Sequence, residues 1–331
     1  MSKSIRRIAV VGAGTTGASW TALYLARGFN VVVADPDPLS EARLRLYVDT
    51  AWKALKVIGL SPKGSPEHLC FTSDPSAAAA DADFIQESAP DRADVKIRLL
   101  AQLDAAAPPD SIIASSASNV PISVMQSECA HPERCLIGHP FNPPHIVPLI
   151  EVVGGAKTSP ESIRRAMAFY ASIGRKPIHI RKEVIGHVAN RLQAALYREV
   201  AHLIEQEVLD VGDIDAAVSW GPGLRWGVMG PNMLFHLSAC PGGIHHFMEH
   251  LARPISACWK DLGSPELTPG LQQTIIDGVL QEAGSRSLAQ LARERDELLV
   301  GLLRLRAKLS KPGGRARART VAKHGTPFKR G

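Results

Sequence analysis

The chain has 331 residues, of which 45% are hydrophobic and 21% charged, values typical of a folded globular protein with room for two domains. It holds no continuous apolar run long enough to span a bilayer, and its first residues, MSKSIRRIAVVGAG, have no signal-peptide layout. The five cysteines form no CxxC pair. We therefore expect free thiols, a reducing cytoplasm and no contact with a membrane.

The net charge of +6 belongs to one end of the chain. Residues 311–331 contain seven Lys and Arg residues and no acid, which leaves 31 basic and 32 acidic side chains in the other 310 residues. We predict a basic, disordered tail over 311–331, because the segment is rich in Gly and Arg and lacks apolar periodicity. We expect no specific nucleic-acid partner; a nucleic-acid binder is the alternative, and its affinity would disappear when the tail is removed.

The first 35 residues predict a strand, a tight turn, a helix and a second strand, in RRIAVVGAGTTGASWTALYLARGFNVVVADPDP. The turn carries Gly12-x-Gly14-x-x-Gly17, and Asp35 ends the second strand. In this context the pattern predicts a dinucleotide site. Gly12 allows the tight turn, Gly14 lets the backbone approach a pyrophosphate, and Gly17 permits close packing of the helix on the strand.

Asp35 favours NAD over NADP as the cofactor. Its carboxylate can accept a hydrogen bond from a ribose 2′-hydroxyl and repels a 2′-phosphate. The following residues, Pro36, Asp37 and Pro38, supply no arginine to offset that repulsion. FAD uses the same kind of turn, but no second FAD-type segment stands out.

Two later apolar segments, 81–90 (DADFIQESAP) and 111–118 (SIIASSAS), predict further strands, and DVKIRLLAQLDAAA predicts the helix between them. The order predicts an α/β fold with a Rossmann-type, doubly wound parallel sheet. Ligands of such sheets bind beyond the carboxyl ends of the strands. This places Asp91, Lys96 and Ser118 near the cofactor, with a solvated helix start as the alternative for Asp91 and Lys96.

Residues 138–152, GHPFNPPHIVPLIEV, hold His139 and Glu151 on either side of four prolines. Because proline fixes φ and removes a donor, we predict a stiff loop rather than a helix. A histidine suits the removal of the hydroxyl proton when a hydride leaves an alcohol carbon. A carboxylate on its other ring nitrogen would fix the tautomer and stabilise the imidazolium. The alternative is a histidine with a structural role.

Several motifs taken together carry a family resemblance: GAGTTG with Asp35, QESAPDRADVK, SSAS, HPERCLIGHPFNPPHIVPLIEVVGG, EVIGHVANRL and GPGLRWGVMGP. The chain resembles the L-3-hydroxyacyl-CoA dehydrogenase superfamily over roughly residues 5–305. Within that superfamily it is similar to the L-carnitine 3-dehydrogenases, and more distantly to lambda-crystallin with its L-gulonate 3-dehydrogenase activity.

The resemblance implies a role for each matching residue. It implies that His139 is the catalytic base, Glu151 its orienting carboxylate, Ser118 a hydroxyl that binds the substrate oxygen, and Asn190 an amide that orients substrate and histidine. It also implies cofactor contacts by Gly12, Gly14, Thr15, Thr16, Gly17, Asp35, Asp91 and Lys96. We expect no metal.

The chain departs from the pattern at one position. Ser118 is followed by Asn119, where the carnitine enzymes typically have Ser-Gly. A side chain at that position would lie beside the substrate oxygen, so the departure bears on which substrate is bound rather than on the chemistry.

From residue 186 the sequence turns helical. We predict an NAD-binding domain over 1–185 and a helical substrate and dimerisation domain over 186–310; the resemblance implies a homodimer formed by the helical domain. Asp213 is a predicted helix N-cap. The histidines of GIHHFMEH favour a surface cluster over a zinc site.

The predicted activity is NAD-dependent oxidation of the 3-hydroxyl of a small 3-hydroxy acid, with L-carnitine to 3-dehydrocarnitine as the first hypothesis. An (S)-3-hydroxyacyl-CoA or an L-gulonate-type acid is the alternative, and a non-catalytic, crystallin-like NAD-binding protein a remote one. A CoA ester would need a basic patch, which the near-neutral body does not show. Arg191, Arg198 or Arg225 could bind a carboxylate. The aromatic candidates for a trimethylammonium group are Phe141, Trp220, Trp226, Phe235 and Trp259.

Overall fold

A computed structural model describes residues 5–239 and 241–310. This part of the chain divides into two compact units. The first contains residues 5–190 and 296–305, and the second contains the remaining described residues. The domain boundary between residues 185 and 186 stays a prediction, and the predicted tail lies outside the described residues.

The first unit contains an eight-stranded sheet in the order β3-β2-β1-β4-β5-β6-β7-β8. The strands are β1 Arg7–Val11, β2 Asn30–Ala34, β3 Leu69–Thr72, β4 Phe84–Glu87, β5 Ile112–Ser115, β6 Cys135–Pro140, β7 Leu149–Gly154 and β8 Lys176–Ile180. Neighbouring strands are parallel except β6 and β7, which pair antiparallel. The predicted Rossmann-type, doubly wound sheet followed by a helical region is confirmed.

Helices connect the strands and then continue alone. They are α1 Thr15–Ala26, α2 Ser40–Ile58, α3 Pro75–Ala79, α4 Ala93–Ala106, α5 Ile122–Met125, α6 Pro160–Ser172, α7 Ala189–Glu205, α8 Val211–Trp220, α9 Pro222–Trp226, α10 Pro231–Ser238, α11 Gly243–Asp261, α12 Pro269–Ala283 and α13 Leu288–Ser310. Two short 3-10 helices, Pro66–His68 and Pro132–Arg134, precede β3 and β6. Among the described helices, none is both long and apolar enough to cross a membrane.

The central strands are apolar on both faces because helices cover both sides of the sheet. In β1, Ile8 and Val10 belong to one buried cluster, and Ala9 and Val11 belong to the cluster on the opposite face. Such a continuously buried strand requires an almost unbroken apolar run, which is why IAVV was recognisable in the sequence. The carboxyl ends of these strands carry the residues of the candidate site.

The predicted stiff loop from His139 to Glu151 was wrong at both ends. His139 lies in β6 and Glu151 in β7, and the two residues are direct partners in the antiparallel ladder. Only the segment 141–148 is a connection. Its proline-rich backbone is held by Arg175, whose Nη1 donates to the carbonyl oxygen of Pro144 at 3.0 Å. The apolar residues on either side of the prolines form strands because they are buried in the sheet, which proline content alone does not reveal.

The second unit is helical and has a small core, formed by Ala201, Ile204, Val211, Ile214 and Leu271. The predicted N-cap at Asp213 was wrong. Asp210 caps α8 instead, and its Oδ1 accepts a hydrogen bond from the amide of Asp213 at 2.8 Å. The helix begins three residues earlier than predicted because Val211 and Ile214 pack into the core and bring the first turn with them.

Candidate active site

Two of the three glycines in the turn after β1 are required by the packing of the protein. Gly12 has a φ of +97°, and a Cβ there would lie 2.7 Å from the backbone of Ser88. A Cβ on Gly17 would lie 1.8 Å from the carbonyl oxygen of Gly12. No side chain fits in either place, so these glycines serve the close contact of turn, helix and neighbouring strand.

Gly14 is different, because nothing in the described protein demands a glycine there. Its φ of −65° suits any residue, and a Cβ would meet no atom within 4 Å. Gly14 is the N-cap of α1, no side chain caps this helix, and Thr15 and Thr16 form its first turn. Free amides and the helix dipole attract an anion at such an end. Because Gly14 has no side chain, the space in front of these amides is open, which fits the close approach of a dinucleotide pyrophosphate.

Asp35 follows β2 and is tied to this turn. Its Oδ2 accepts a hydrogen bond from the amide of Ala13 at 2.7 Å, and its Oδ1 accepts from the amide of Asp37 and the hydroxyl of Ser40, each at 3.0 Å. The carboxylate is therefore held beside the glycine turn, where a ribose hydroxyl would donate to it.

An arginine that the sequence interpretation missed lies near Asp35. Arg43, in the first turn of α2, pairs with Asp37. Its Nη2 also donates at 3.1 Å to the hydroxyl oxygen of Ser40, whose own hydrogen goes to Asp35. Because the charges of Arg43 and Asp37 cancel, the carboxylate of Asp35 remains as the net negative charge beside the glycine turn. The sequence interpretation did not predict the helix that starts at Ser40. This helix turns the chain back, so that Arg43 lies close to the end of β2 although it is eight residues after Asp35.

Lys96 is buried, and its ammonium group donates hydrogen bonds only to groups of the protein. Its Nζ donates to both carboxylate oxygens of Glu87 at 2.9 Å and to the carbonyl oxygen of Ala89 at 3.2 Å. Both side chains of the ion pair are at most 1% exposed. The pair holds the turn after β4, next to Gly12, in place. A direct contact between Lys96 and the cofactor stays a prediction.

Asp91 organises the segment after β5. Its Oδ2 accepts hydrogen bonds from the hydroxyl of Ser118 at 3.1 Å, from the amide of Asn119 at 3.0 Å and from the side-chain amide of Asn119 at 3.1 Å. The exposed Asn119 also donates to the hydroxyl oxygen of Ser118 at 3.2 Å. The side chain that replaces the expected glycine thus contacts the predicted substrate-binding hydroxyl directly.

The centre of the site is the pair His139 and Glu151. Nδ1 of His139 lies 2.9 Å from Oε2 of Glu151, and both side chains are buried. Because an ionised carboxylate can only accept, Nδ1 carries the hydrogen and Nε2 presents a lone pair. The imidazole is therefore oriented to accept a proton at Nε2.

The second oxygen of Glu151 reaches the next segment of the chain. Its Oε1 accepts hydrogen bonds from the amides of Val188 and Ala189, each at 2.9 Å. Burial acts to raise the pKa of Glu151, but the hydrogen bonds from His139, Ala189 and Val188 outweigh it, and the pKa lies below its usual value. Glu151 is therefore held ionised beside the base.

Comparison with known proteins adds to this geometry. Residues 7–184 match the NAD binding domain of 3-hydroxyacyl-CoA dehydrogenase, and residues 186–264 match the C-terminal domain of that enzyme. The chain belongs to the 3-hydroxyacyl-CoA dehydrogenase family. It is thus an NAD-dependent oxidoreductase, and the predicted family, cofactor and enzyme class are confirmed.

Relatives within this family are similar over nearly the whole chain. L-carnitine dehydrogenase of Streptomyces griseus is 44% identical over 93% of this chain and 92% of its own. The L-carnitine dehydrogenase of Pseudomonas aeruginosa is 45% identical over 90% of this chain and 93% of its own. Among solved structures, an NAD-dependent dismutase, 5-formyl-3-hydroxy-2-methylpyridine 4-carboxylic acid 5-dehydrogenase, is 31% identical with a TM-score of 0.78, covering 91% of this chain and 98% of that one.

The structure brings the predicted family residues together in two groups. Ser118 lies with Asp91, and His139 lies with Glu151. Asn190 is half-buried in the first turn of α7, directly after the amides that Glu151 binds. The catalytic and cofactor-binding roles of these residues stay predictions.

One buried histidine beside His139 was missed by the sequence interpretation. His187 lies with its ring centroid 4.8 Å from that of His139, and its Nε2 lies 2.9 Å from the carbonyl oxygen of Ala117. Its segment, EVIGHVANRL, contributed to the family resemblance and to the prediction for Asn190, and no role was predicted for His187. No local pattern marks it, because its approach to His139 depends on the pairing of distant strands.

Proposed function

We propose that the chain oxidises the 3-hydroxyl of a small 3-hydroxy acid to the ketone, with His139 as the general base. The supporting observation is the buried hydrogen bond between His139 Nδ1 and Glu151 Oε2 at 2.9 Å, which leaves Nε2 as the proton acceptor. When bound, NAD supplies the acceptor for the hydride that leaves the carbinol carbon.

The residues of this chain handle the proton and the substrate oxygen. The hydroxyl proton passes to Nε2 of His139 as the carbon–oxygen double bond forms. Glu151 then stabilises the resulting imidazolium through Nδ1–H. Without substrate, the hydroxyl of Ser118 donates to Asp91. When substrate binds, this hydroxyl turns and donates its one hydrogen to the substrate oxygen instead, and Asn190 orients substrate and base.

We propose L-carnitine as the first substrate to test. The support is similarity to relatives named L-carnitine dehydrogenase at 44% and 45% identity. The contact between Asn119 and Ser118 keeps an L-gulonate-type acid or an acyl-CoA ester as the alternative. The arginine and aromatic candidates for binding the two ends of carnitine stay predictions.

A substrate panel with NAD tests the reaction class. We expect turnover of L-carnitine above that of L-gulonate and of acetoacetyl-CoA in the reverse direction with NADH. Brisk turnover of acetoacetyl-CoA without turnover of carnitine would contradict L-carnitine as the substrate and leave the proposed reaction class unchanged. No turnover of any member of the panel would contradict the reaction class.

The variant His139→Ala tests the base. We expect NAD binding to be retained and turnover to drop by a factor of about 10² to 10⁴, the contribution of general acid–base catalysis. His131→Ala, on an exposed histidine outside the site, is the matched control and should behave as wild type. Unchanged turnover of His139→Ala would exclude His139 as the base.

We also propose that the chain forms a homodimer through its helical region. The second unit has only the small described core and exposes large apolar side chains, among them Leu192, Trp220, Trp259 and Leu280. Exposed apolar area of this kind marks a contact surface. Light scattering on the purified chain is expected to give the mass of two copies, and a monomer at micromolar concentration would contradict the proposal.

We propose that the protein is cytoplasmic. We also propose that its basic tail has no specific nucleic-acid partner. Four described cysteines, Cys70, Cys129, Cys135 and Cys258, are free thiols, which suits a reducing compartment. A mobility-shift assay with the full chain and with a chain cut at residue 310 tests the tail. Sequence-specific binding that is lost on truncation would overturn this part of the proposal.

A further inference from the structure

The candidate site consists of two groups of residues that one short segment joins. Ser118 and Asp91 form the first group, and His139 and Glu151 form the second. Residues 186–189, which lead from β8 into α7, bind to both groups. A substrate oxygen that is bound by Ser118 and gives its proton to His139 needs the two groups at a fixed separation. The segment 186–189 is placed to set that separation.

The first half of this segment holds the backbone around Ser118. The amide of Gly186 donates to the carbonyl oxygen of Ser118 at 3.0 Å. Nε2 of His187 lies 2.9 Å from the carbonyl oxygen of Ala117, which can only accept, so Nε2 carries the hydrogen and donates it. The peptide groups on both sides of Ser118 are therefore held by two consecutive residues, one through its amide and the other through its side chain.

The second half of the segment holds the carboxylate of the base. The amides of Val188 and Ala189 donate to Oε1 of Glu151, each at 2.9 Å, while Oε2 of the same carboxylate holds His139. The ring of His187 also lies against that of His139, with a centroid distance of 4.8 Å and a tilt of 55°. The segment thus binds the backbone of the predicted substrate-binding serine at one end and the support of the base at the other.

The backbone of His187 is unusual for a residue with a side chain. Its φ is +52°, in the left-handed region that favours glycine. A glycine would adopt this conformation at less cost, but it would lack the ring and with it the hydrogen bond to Ala117. Strain of this kind persists only where the surrounding structure holds it. The side chain is therefore the part of His187 that calls for an explanation.

The ring of His187 is neutral at neutral pH. It is buried, and burial, the largest influence, lowers its pKa against the raising effect of the hydrogen bond to Ala117. A neutral ring donates from Nε2 without adding a positive charge beside His139. The contact with Ala117 is therefore compatible with the charge that His139 gains when it accepts a proton.

We propose that His187 is a positioning residue: by donating to the carbonyl oxygen of Ala117, its ring fixes the hydroxyl of Ser118 relative to Nε2 of His139. This inference rests on the proposed function, in which one substrate oxygen accepts from Ser118 and gives its proton to His139. Because a single atom makes both contacts, a small displacement of Ser118 weakens the transition state although the substrate still binds. Loss of the Ala117 contact should therefore lower kcat more than it raises KM.

His187→Phe tests the contact, because it keeps a ring against His139 and removes the donor to Ala117. With the best substrate of the panel, we expect kcat to fall by about ten-fold or more with little change in KM. Affinity for NAD, measured by calorimetric titration, should stay within about two-fold of wild type, because His187 does not contact the glycine turn. His131→Phe, on an exposed histidine, is the control and should behave as wild type.

Two further variants show which atom matters. His187→Gln places an amide nitrogen near the position of Nε2 and should recover most of the lost kcat. His187→Asn carries its amide near the position of Nδ1 instead, so it should behave like His187→Phe. Asparagine tolerates the left-handed region, so His187→Asn takes the place of His187→Phe if the phenylalanine variant fails to fold.

A double-mutant cycle with Ser118→Ala separates positioning from a general structural defect. Because His187 is proposed to act through Ser118, His187→Phe should cost no more than about two-fold in an enzyme that already lacks the Ser118 hydroxyl. A packing defect, or a direct effect on His139, would instead lower kcat by the same factor in both backgrounds. The comparison of the two losses therefore reports the path from His187 to Ser118.

Each outcome decides the inference. A loss of kcat that appears in the wild-type background, disappears in the Ser118→Ala background and is recovered by His187→Gln supports it. Wild-type kcat in a folded His187→Phe enzyme overturns it, and so does an equal loss in both backgrounds. Wild-type turnover by Ser118→Ala would contradict the role of Ser118 in the proposed function and the inference with it, whereas absence of turnover by the wild type would contradict the reaction class itself.

Discussion

His139 and Glu151 face each other across the antiparallel ladder of β6 and β7, and Nδ1 of the histidine lies 2.9 Å from Oε2 of the carboxylate. The residues are twelve positions apart in the chain, but their relative position is set by backbone hydrogen bonds of two buried strands. The pair is therefore held more rigidly than two side chains on a loop would be. Rigid support of this kind is what a general base needs.

Glu151→Gln is expected to lower both turnover and stability. The amide keeps the shape of the carboxylate but loses the charge that stabilises the imidazolium, so turnover should fall by a factor of about 10² or more. Loss of charge-assisted hydrogen bonds should reduce the free energy of unfolding by about 1.5–3 kcal/mol at neutral pH. Steady-state kinetics and urea denaturation measure the two effects.

The stability effect of Glu151 depends on pH in a defined direction. The pKa of Glu151 is lowered in the folded state, so its contribution is present above the usual value of 4.5 and is lost as the pH falls through the folded pKa. The difference between wild type and Glu151→Gln should therefore shrink below pH 4.5. The exposed Glu133→Gln is the control. A difference that grows on acidification would contradict the account.

Gly14→Ala should separate cofactor binding from folding. No protein atom lies near the added Cβ, so the free energy of unfolding should change by no more than about 1 kcal/mol. Affinity for NAD should nevertheless fall by about ten-fold or more, because the methyl group occupies the approach of the pyrophosphate. Calorimetric titration with NAD and thermal unfolding without it check the two parts.

Gly17→Ala is the matched comparison for Gly14→Ala. Its Cβ would collide with the carbonyl oxygen of Gly12, so this variant should be destabilised by about 1–3 kcal/mol or more even without NAD. Equal loss of stability in the two variants would show that Gly14 serves folding rather than the cofactor.

Asp35→Asn should shift the choice of cofactor. Removing the carboxylate charge takes away the repulsion of a 2′-phosphate and leaves Arg43 nearby, so the ratio of kcat/KM for NADP to that for NAD should rise by about ten-fold or more. Asp110→Asn, an exposed carboxylate elsewhere, controls for net charge. An unchanged ratio would mean that Asp35 does not meet the ribose.

Lys96→Met should destabilise the protein by about 3–5 kcal/mol, because Glu87 is then left as an unpaired buried charge. The double variant Glu87→Gln with Lys96→Met should recover most of that loss. Denaturant unfolding measures both. If Lys96→Met instead keeps its stability and loses affinity for NAD, the lysine contacts the cofactor directly rather than through the turn it holds.

The geometry of the candidate site could be predicted from the sequence where its parts are close together in the chain. The turn from Gly12 to Gly17 and the acid at Asp35 follow one another within a single strand–helix–strand unit, so spacing alone predicts their contact. The strands β3 and β8 and the strand character around His139 were missed. Short edge strands and proline-flanked strands gain their conformation from neighbours that the local sequence does not contain.

The sequence by itself determined the Rossmann-type fold and its glycine turn, because buried parallel strands and glycine spacing leave local patterns. Only the tertiary structure decided that His139 pairs with Glu151 through strand register, that Asp91 binds Ser118 and Asn119, and that His187 lies against the base. These contacts join segments that are distant in the chain, and their distances are set by the hydrogen-bond ladder of the sheet and the packing around it rather than by any residue's own preference.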